Sequence, residues 1–264
     1  MIDIHCHILS CLDDGSKDLD ESIHMARQAV SEGITKIVAT PHHKNREYDN
    51  PREKILHCVE ELNRELSRHN IPLMILPGQE PRIYGEILQD YNKGEILTLN
   101  NSGKYLFIEL PSGHVPRYTE QLLFDIQLNG LTPVIVHPER NTELLENPDI
   151  LYKLVRNGAC TQVTSSSVTG HFGKKIKKFS MQLIENNLTH FLASDAHNLS
   201  TRPFRMREAY TVLVKAYGVG VEYYFRGNAE LLVEGKTVIR DTPEKIRQKK
   251  LWGLLGKSLS KADK

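Results

Sequence analysis

Cysteine is scarce in this chain and badly placed for chemistry of its own. The four thiols, Cys6, Cys11, Cys58 and Cys160, show no C-x-x-C spacing, which excludes a zinc knuckle and argues against a disulfide frame. Long apolar runs are missing as well, so no segment is expected to span a bilayer. A net charge of +1 gives no bulk pull toward nucleic acid or membrane, and no basic stripe interleaved with aromatics suggests a nuclease. There is no internal repeat, low-complexity segment or convincing linker. Ligand-type residues begin at His5, which leaves no room for a signal peptide before them. The expected location is the cytoplasm.

What the chain does have is the length and composition of a globular protein: 264 residues, 39% hydrophobic and 25% charged, enough for one large core. Short β-like runs occur near Met1–His7, Ile34–Ala39, Leu73–Leu76, Tyr105–Leu110, Pro133–His137, Cys160–Thr164 and His190–Ala193. Amphipathic stretches lie between and after them, at Leu19–Glu32, Arg52–His69, Arg117–Leu128, Pro148–Asn157, Lys174–Asn187 and Pro203–Tyr217. Gly33, Gly130 and Gly158 each close a helical pattern ahead of a strand. Seven strands with helical crossovers imply a parallel sheet, and closure of that sheet gives a TIM-like (β/α)7 barrel. Tyr84–Ser102 and Val219–Val238 read as irregular insertions. The division expected is a barrel over residues 1–240 and a basic tail over 241–264.

The chemistry-bearing residues recur at one place in the pattern. In the first strand, side chains two apart share a face, so His5 and His7 point one way and Cys6 the other. The second strand runs out at Ala39-Thr-Pro-His-His43, the third at Pro77-Gly-Gln-Glu80 and the fifth at Val136-His-Pro-Glu-Arg140. The fourth contains Phe107-Ile-Glu109, and the seventh ends at Ala193-Ser-Asp-Ala-His197. Five of the twelve histidines, His5, His7, His42, His137 and His197, therefore sit at C-terminal strand edges. Asp14, Glu80, Glu109 and Asp195 accompany them. A single histidine there would mean little. Four carboxylates crowded at one barrel mouth would repel one another unless cations separated them. Nine nitrogen and oxygen donors exceed one tetrahedral site and suit two or three ions. A set without thiolates favours manganese, iron or zinc over copper. Such a pocket would be net positive and would attract a phosphate dianion. Arg140, in His-Pro-Glu-Arg, could grip two phosphoryl oxygens with its planar fork. Arg202 and Arg205, just past His197, could do the same, or could form surface salt bridges.

These segments, together with His5-Cys-His-Ile-Leu9, Asp13-Asp-Gly15, His114-Val-Pro-Arg-Tyr118 and Ala193-Ser-Asp-Ala-His-Asn198, resemble the PHP (polymerase and histidinol phosphatase) superfamily. More narrowly, they resemble its manganese-dependent bacterial protein tyrosine phosphatases, and the likeness extends to about Val238. The resemblance implies a distorted seven-stranded barrel with a trinuclear metal centre held by His5, His7, Asp14, His42, Glu80, Glu109, His137, Asp195 and His197. It also implies a phosphotyrosine protein substrate, a membrane-attached tyrosine kinase controlling capsule or exopolysaccharide synthesis. The departures are Ser10, where the family usually has Pro, and Pro81, where an aliphatic residue is commoner.

One motif misleads. His57-Cys-Val-Glu-Glu-Leu-Asn-Arg64 spells the His-Cys-x5-Arg signature of cysteine-dependent tyrosine phosphatases. That signature needs a glycine-rich loop with its N–H groups aimed at phosphate. This stretch has no glycine, carries two glutamates and reads as mid-helix. Cys58 is not expected to be a nucleophile. From Lys245 to the end, seven basic residues face one acid. Leu251, Leu254, Leu255 and Leu259 share a helical face, so the tail is either a frayed terminus or a segment touching an anionic membrane or a partner.

The function expected is metal-dependent hydrolysis of phosphotyrosine in proteins. The alternatives are a histidinol phosphatase or other small-molecule phosphomonoesterase of the same superfamily, a non-catalytic metal-stabilised module, and an amidohydrolase barrel, which also begins with His-x-His.

Overall fold

The computed structural model describes residues 1–247. The membrane-contact reading of the tail falls largely on residues outside that range. Among the described residues nine strands occur in chain order: β1 (Ile2–Cys6), β2 (Lys36–Ala39), β3 (His42–His43), β4 (Met74–Pro77), β5 (Glu80–Pro81), β6 (Tyr105–Ile108), β7 (Thr132–Val136), β8 (Cys160–Thr164) and β9 (Phe191–Ala193). Between and after them come ten α-helices: α1 (Leu19–Ser31), α2 (Arg52–Arg68), α3 (Ile87–Asn92), α4 (Thr119–Leu128), α5 (Thr142–Glu146), α6 (Pro148–Arg156), α7 (Ser165–Thr169), α8 (Lys174–Glu185), α9 (Met206–Tyr217) and α10 (Gly220–Val233).

The strand pairings among the described residues are parallel and form three sheets, ordered β1-β2-β4, β3-β5 and β6-β7-β8-β9. The sequence pattern predicts one sheet of seven strands. Part of the difference lies just past the ends of two expected strands, where the chain leaves the ladder and rejoins it as β3 and β5. Pro41 has no N–H to give to a ladder, so the second strand stops at Ala39 and resumes at His42. The third stops at Pro77 and resumes at Glu80. Between those halves Gly78 is pressed so close to β2 that an added Cβ would sit 2.6 Å from Val38 Cγ1. Single bridges, Arg82 to Glu109 and Cys6 to Ala196, link the three sheets to one another.

A register irregularity in β1 decides which way its histidines face. Asp3 pairs with Ile37 and Cys6 with Ala39, so β1 carries one residue more than β2 between these pairs. Ile2 and Ile4 pack with Phe107, Val134 and Phe191 in an inner apolar cluster. Without the extra residue Cys6 would continue that face. The bulge resets the phase. Cys6 joins the outer core beneath the helices, and His5 turns inward, its ring 5.1 Å from that of Phe107.

The stretch expected to be an irregular insertion, Val219–Val238, contains the 14-residue helix α10. Gly220 and Gly227 depress its helical signal, but tertiary burial outweighs them. Ala229, Leu232 and Val233 enter the inner cluster beside Ile2 and Tyr105, and Asn228 donates to the His190 carbonyl. The helix thus covers the ends of β1, β6 and β9 opposite the histidine-rich edges. Past it, Glu244 N–H donates to the Asn186 carbonyl, Lys245 pairs with Asp149, and Ile246 is buried.

His190, at the start of β9, is buried and accepts from Thr161 N–H at 3.2 Å. Burial, with the Arg240 charge, pushes it down to about 3. The unfolded chain would take up this proton near pH 6.5 while the folded chain would not, so stability falls as pH drops from ~6.5 toward 3. His190→Gln is expected to flatten the pH dependence of unfolding free energy over that window by up to ~1.4 kcal/mol per pH unit. Denaturant titrations at pH 7 and pH 4.5 check this; equal slopes in both proteins would contradict it.

Candidate metal centre

Three histidines are held so that one ring nitrogen donates outward and the other carries its lone pair inward. His5 Nδ1 lies 2.9 Å from Gln162 Oε1, and the Gln162 amide nitrogen is itself donating to the Val163 carbonyl. The proton is therefore on His5 Nδ1. His7 Nδ1 lies 2.6 Å from an Asp13 carboxylate oxygen, which as an anion can only accept. His197 Nδ1 donates to the Asp195 carbonyl at 3.0 Å. In each case Nε2 is left free for a metal, and a partner on the far ring nitrogen is how ligating imidazoles are normally fixed.

The free nitrogens and the carboxylates converge. His5 Nε2 and His7 Nε2 are 3.3 Å apart. Glu80, wholly buried, lies among four imidazoles: its oxygens are 3.4 Å from His5 Nε2, 3.4 Å from His7 Nε2, 2.8 Å from His42 Nδ1 and 2.9 Å from His137 Nε2. Asp195 Oδ1 is 3.3 Å from both His5 Nε2 and His7 Nε2. Asp14 Oδ1 stands 3.4 Å from His42 Nε2 and 3.3 Å from His197 Nε2. Glu109 Oε2 is 3.6 Å from His42 Nδ1. The donors fall into four overlapping groups: His7, Asp14, His42 and His197; His5, His7 and Glu80; His5, His137 and Asp195; His42, Glu80 and Glu109. Together they take in all nine residues picked out in the sequence.

These residues suit cations better than they suit one another. His42 Nδ1, Glu80 Oε2, Glu109 Oε2, Asp195 Oδ1 and His197 Nε2 are all buried without a hydrogen-bond partner. His42 Nδ1 and Glu80 Oε2 are close but not aligned to bond. Buried polar atoms in native proteins are nearly always satisfied, and one shared class of partner, a divalent ion, would satisfy all five. The protonation states divide: with no cation between them and the carboxylates, and against burial, His7 is raised well above its ordinary value by Asp13 and His42 is raised by Glu80, and a divalent ion would take the place of those protons. Burial and the Arg140 charge push His137 down to about 3, and burial and the His7 charge push His197 down to about 4. Both are neutral ligands at pH 7. Burial would raise Glu80 and Asp195, but it is outweighed for Glu80 by His5 and His42 and for Asp195 by Arg202 and Arg140, leaving both well below the usual carboxylate range. Glu109 is raised to about 7 by burial and by the Glu80 charge, the like-charge repulsion expected of carboxylates with no cation between them.

Two ligand candidates stand on unusual backbone. His137 has φ 36° and Asp195 φ 52°, both left-handed. That conformation is uncommon outside glycine and persists where surrounding contacts enforce it. For His137 the anchor is the next turn, Pro138–Arg140, where buried Glu139 accepts from Thr164 N–H and Ser167 Oγ. For Asp195 it is buried Asp3, which accepts from the N–H of Ser194 at 2.9 Å.

Arg140 Nη1 lies 2.7 Å and Arg202 Nη2 2.8 Å from the same oxygen, Asp195 Oδ2. Both guanidiniums are partly exposed, so they line the way in. Arg205 is not brought to the cluster. It pairs with Glu208 one turn into α9.

Five residues that shape the centre were not selected from the sequence: Asp3, Asp13, Arg82, Glu139 and Gln162. Asp13 had a signal, since it precedes Asp14 in a two-aspartate loop. It ties that loop to the site by accepting from His42 N–H (2.9 Å) and Gly15 N–H (2.9 Å) besides His7. Gly15 is required there, because a Cβ would fall 2.1 Å from the His7 carbonyl oxygen. Arg82 holds Glu109 Oε1 at 3.0 Å. Asp13→Asn is expected to weaken metal binding about 10–100-fold, with much of the rate recovered at saturating metal. A metal titration followed by activity checks it; an unchanged midpoint would refute the orienting role.

Cys58 lies in the middle of α2, and burial raises its thiol pKa. Both facts agree with the rejection of the His-Cys-x5-Arg reading.

Residues 1–234 match the family model for capsular polysaccharide synthesis, CpsB/CapC. The chain belongs to the CpsB/CapC family. It is 52% identical over 253 residues to the tyrosine-protein phosphatase YwqE of Bacillus subtilis, covering 96% of this chain and 99% of that one. It is 36% identical over 226 residues to the tyrosine-protein phosphatase CpsB of Streptococcus pneumoniae, covering 83% and 91%. A crystal structure from work on these two proteins, described there as unique metal-dependent tyrosine phosphatases, superposes with a TM-score of 0.92 at 52% identity, covering 94% of this chain and all of that one.

Proposed function

We propose that this CpsB/CapC chain is a metal-dependent tyrosine phosphatase acting in capsule or exopolysaccharide synthesis, with its metals held by His5, His7, Asp14, His42, Glu80, Glu109, His137, Asp195 and His197. The observation that carries this reading is the set of five orphaned donor atoms at one mouth, fronted by two arginines on a common carboxylate oxygen. Four donor groups that share members suit three ions, and the imidazole-carboxylate mixture suits manganese, with iron or zinc able to substitute. This belongs to the PHP pattern. The linked parallel sheets are then one distorted seven-stranded barrel over residues 1–240, followed by the basic tail 241–264. The proposed setting is the cytoplasm, and the proposed partner is a membrane-attached tyrosine kinase bearing phosphotyrosine.

When bound, the ions supply Lewis-acid charge for the phosphoryl group and lower the pKa of water into the neutral range. The chain's own residues do the rest. Arg140 and Arg202 exchange part of their hold on Asp195 for the equatorial phosphoryl oxygens, and their charge counts most where negative charge builds in the transition state. Burial of His5, His7 and Glu80 keeps bulk water from the inner face. Asp13 and Gln162 fix the imidazole tautomers throughout. A tyrosine phenolate, pKa ~10, is a fair leaving group and needs no dedicated strong acid.

The test is turnover of a phosphotyrosyl peptide and of histidinol phosphate side by side, with manganese, iron or zinc, alongside quantification of bound metal. Peptide turnover well above histidinol phosphate turnover is expected. The reverse order would replace the protein substrate with a small molecule, and inactivity with every metal would overturn the reading.

A further inference from the structure

Acidic residues are spread throughout this chain, 33 in 264, yet none occurs between Asp149 and Glu185. The gap contains the start of α8, where Lys174, Lys175, Lys177 and Lys178 follow one another across a turn and a half. Lys177 is half-buried and reaches the Thr169 carbonyl. Lys174, Lys175 and Lys178 are exposed, and their i, i+3 and i, i+4 spacing puts them on one face. The lysine ion pairs among the described residues involve Lys44, Lys93, Lys153, Lys236 and Lys245, and none of these three.

Local folding does not explain the arrangement. The N-terminal end of a helix carries partial positive charge and favours acids. α8 has four lysines there, no acid in its first turn, and Gly173 at the cap position with no side-chain cap. The lysines repel one another and the helix end, a cost that a negatively charged partner would offset.

The position of the patch identifies the partner. α8 packs against the Pro138–Arg140 turn. Phe172, two residues before the first lysine, lies under the Arg140 guanidinium at 5.7 Å. His171 Nε2 is 2.9 Å from the Thr201 carbonyl, in the loop that carries Arg202. The lysine run thus begins two residues past the ring on which Arg140 lies.

We infer that Lys174, Lys175 and Lys178 form a subsite for anionic side chains, carboxylate or phosphate, a few residues from the phosphotyrosine on the same substrate chain. The inference rests on the proposed phosphatase reading and adds a substrate class to it: phosphotyrosine within acidic or multiply phosphorylated sequence. A substrate tyrosine held by Arg140 brings its flanking residues over this face.

The test compares the wild-type full chain, metal-loaded, with Lys174→Gln/Lys175→Gln/Lys178→Gln, in which glutamine keeps helix propensity. Three phosphotyrosyl peptides are used, with glutamate flanks, with a second phosphotyrosine, and with neutral flanks. Wild type is expected to favour both anionic peptides about tenfold in kcat/KM, through KM and with strong salt sensitivity. The triple variant is expected to lose that preference and keep its rate on the neutral peptide and on p-nitrophenyl phosphate. Preference for one anionic peptide alone identifies carboxylate or phosphate as the ligand and supports the subsite. No preference in wild type, or an undiminished preference in the variant, overturns it. So does loss of binding to anionic phosphatidylserine vesicles without any change in peptide preference, which would make the face a membrane contact. Fluorescence anisotropy of the labelled peptides, read without turnover, decides the subsite even if hydrolysis fails, whereas absence of hydrolysis alone refutes the phosphatase reading.

Discussion

Glu80→Gln is expected to produce a folded protein with turnover down on the order of 10³-fold and with reduced metal content. Residues that only orient a metal's ligands already account for 10–100-fold, and Glu80 is proposed as a ligand itself. Its two oxygens reach toward four imidazoles, those of His5, His7, His42 and His137, where Asp195 reaches three, those of His5, His7 and His197. The amide that replaces it has the same shape but one oxygen and no charge, so two of the four donor groups lose an anionic member. Stability offers an independent readout. Without metal, the imidazoles around the wild-type carboxylate hold it well below the usual carboxylate range, so a neutral amide should lower the metal-free melting temperature while the protein still folds. Metal binding to the folded state raises that temperature by mass action, and the variant should lose most of the rise. A Glu80→Gln protein with wild-type metal content and wild-type turnover would remove the carboxylate from the centre and, with it, the case for shared ions.

Much of the candidate site was readable because it depends on strand phase and strand ends. In a parallel α/β sheet all C-terminal edges face the same side, so a His, Asp or Glu at each edge predicts convergence even though distances cannot be read. The fold brings together the nine residues so identified. The partners that orient them were hidden for a physical reason. Gln162 and Asp3 lie inside strands, where a polar residue gives no sign of what it meets across the sheet. Asp13 and Asp14 are adjacent and chemically alike, and only folded geometry separates the one bonded to His7 Nδ1 from the one facing His42 and His197. Arg205 shows the opposite error. Nearness in sequence to His197 suggested a place at the site, but the turn into α9 directs it to Glu208.

The fold was legible to the same depth. Seven runs of apolar residues found their strands, but hydrophobic periodicity cannot show that the chain pairs again as β3 past Pro41 and as β5 past the close-packed Gly78. Nor does it show the bulge in β1. The inward direction of His5 and His7 was inferred from simple alternation, and it holds only because the extra residue before Cys6 rephases the strand. In α10 the weak local signal of a glycine-containing segment was overridden by burial of Ala229, Leu232 and Val233 under the strands.

Arg140→Lys should separate chemistry from metal binding. The substitution keeps a positive charge 2.7 Å-class contacts could still use near Asp195, so metal content and the metal-induced rise in melting temperature should stay close to wild type. What lysine cannot supply is the planar fork that meets two phosphoryl oxygens at once, or the flat cation that lies on Phe172. Electrostatic stabilisers aimed at charge that develops in the transition state are worth about 10²–10³ in kcat, and a fall of that size is expected, with a smaller change in KM. Arg202, which shares Asp195 Oδ2, limits the damage by holding one oxygen. The double variant with Arg202→Lys should therefore lose more than the product of the two single losses, because each arginine covers in part for the other. Turnover of Arg140→Lys within threefold of wild type would show that the guanidinium serves only to neutralise Asp195, and the transition-state role would pass to the ions alone.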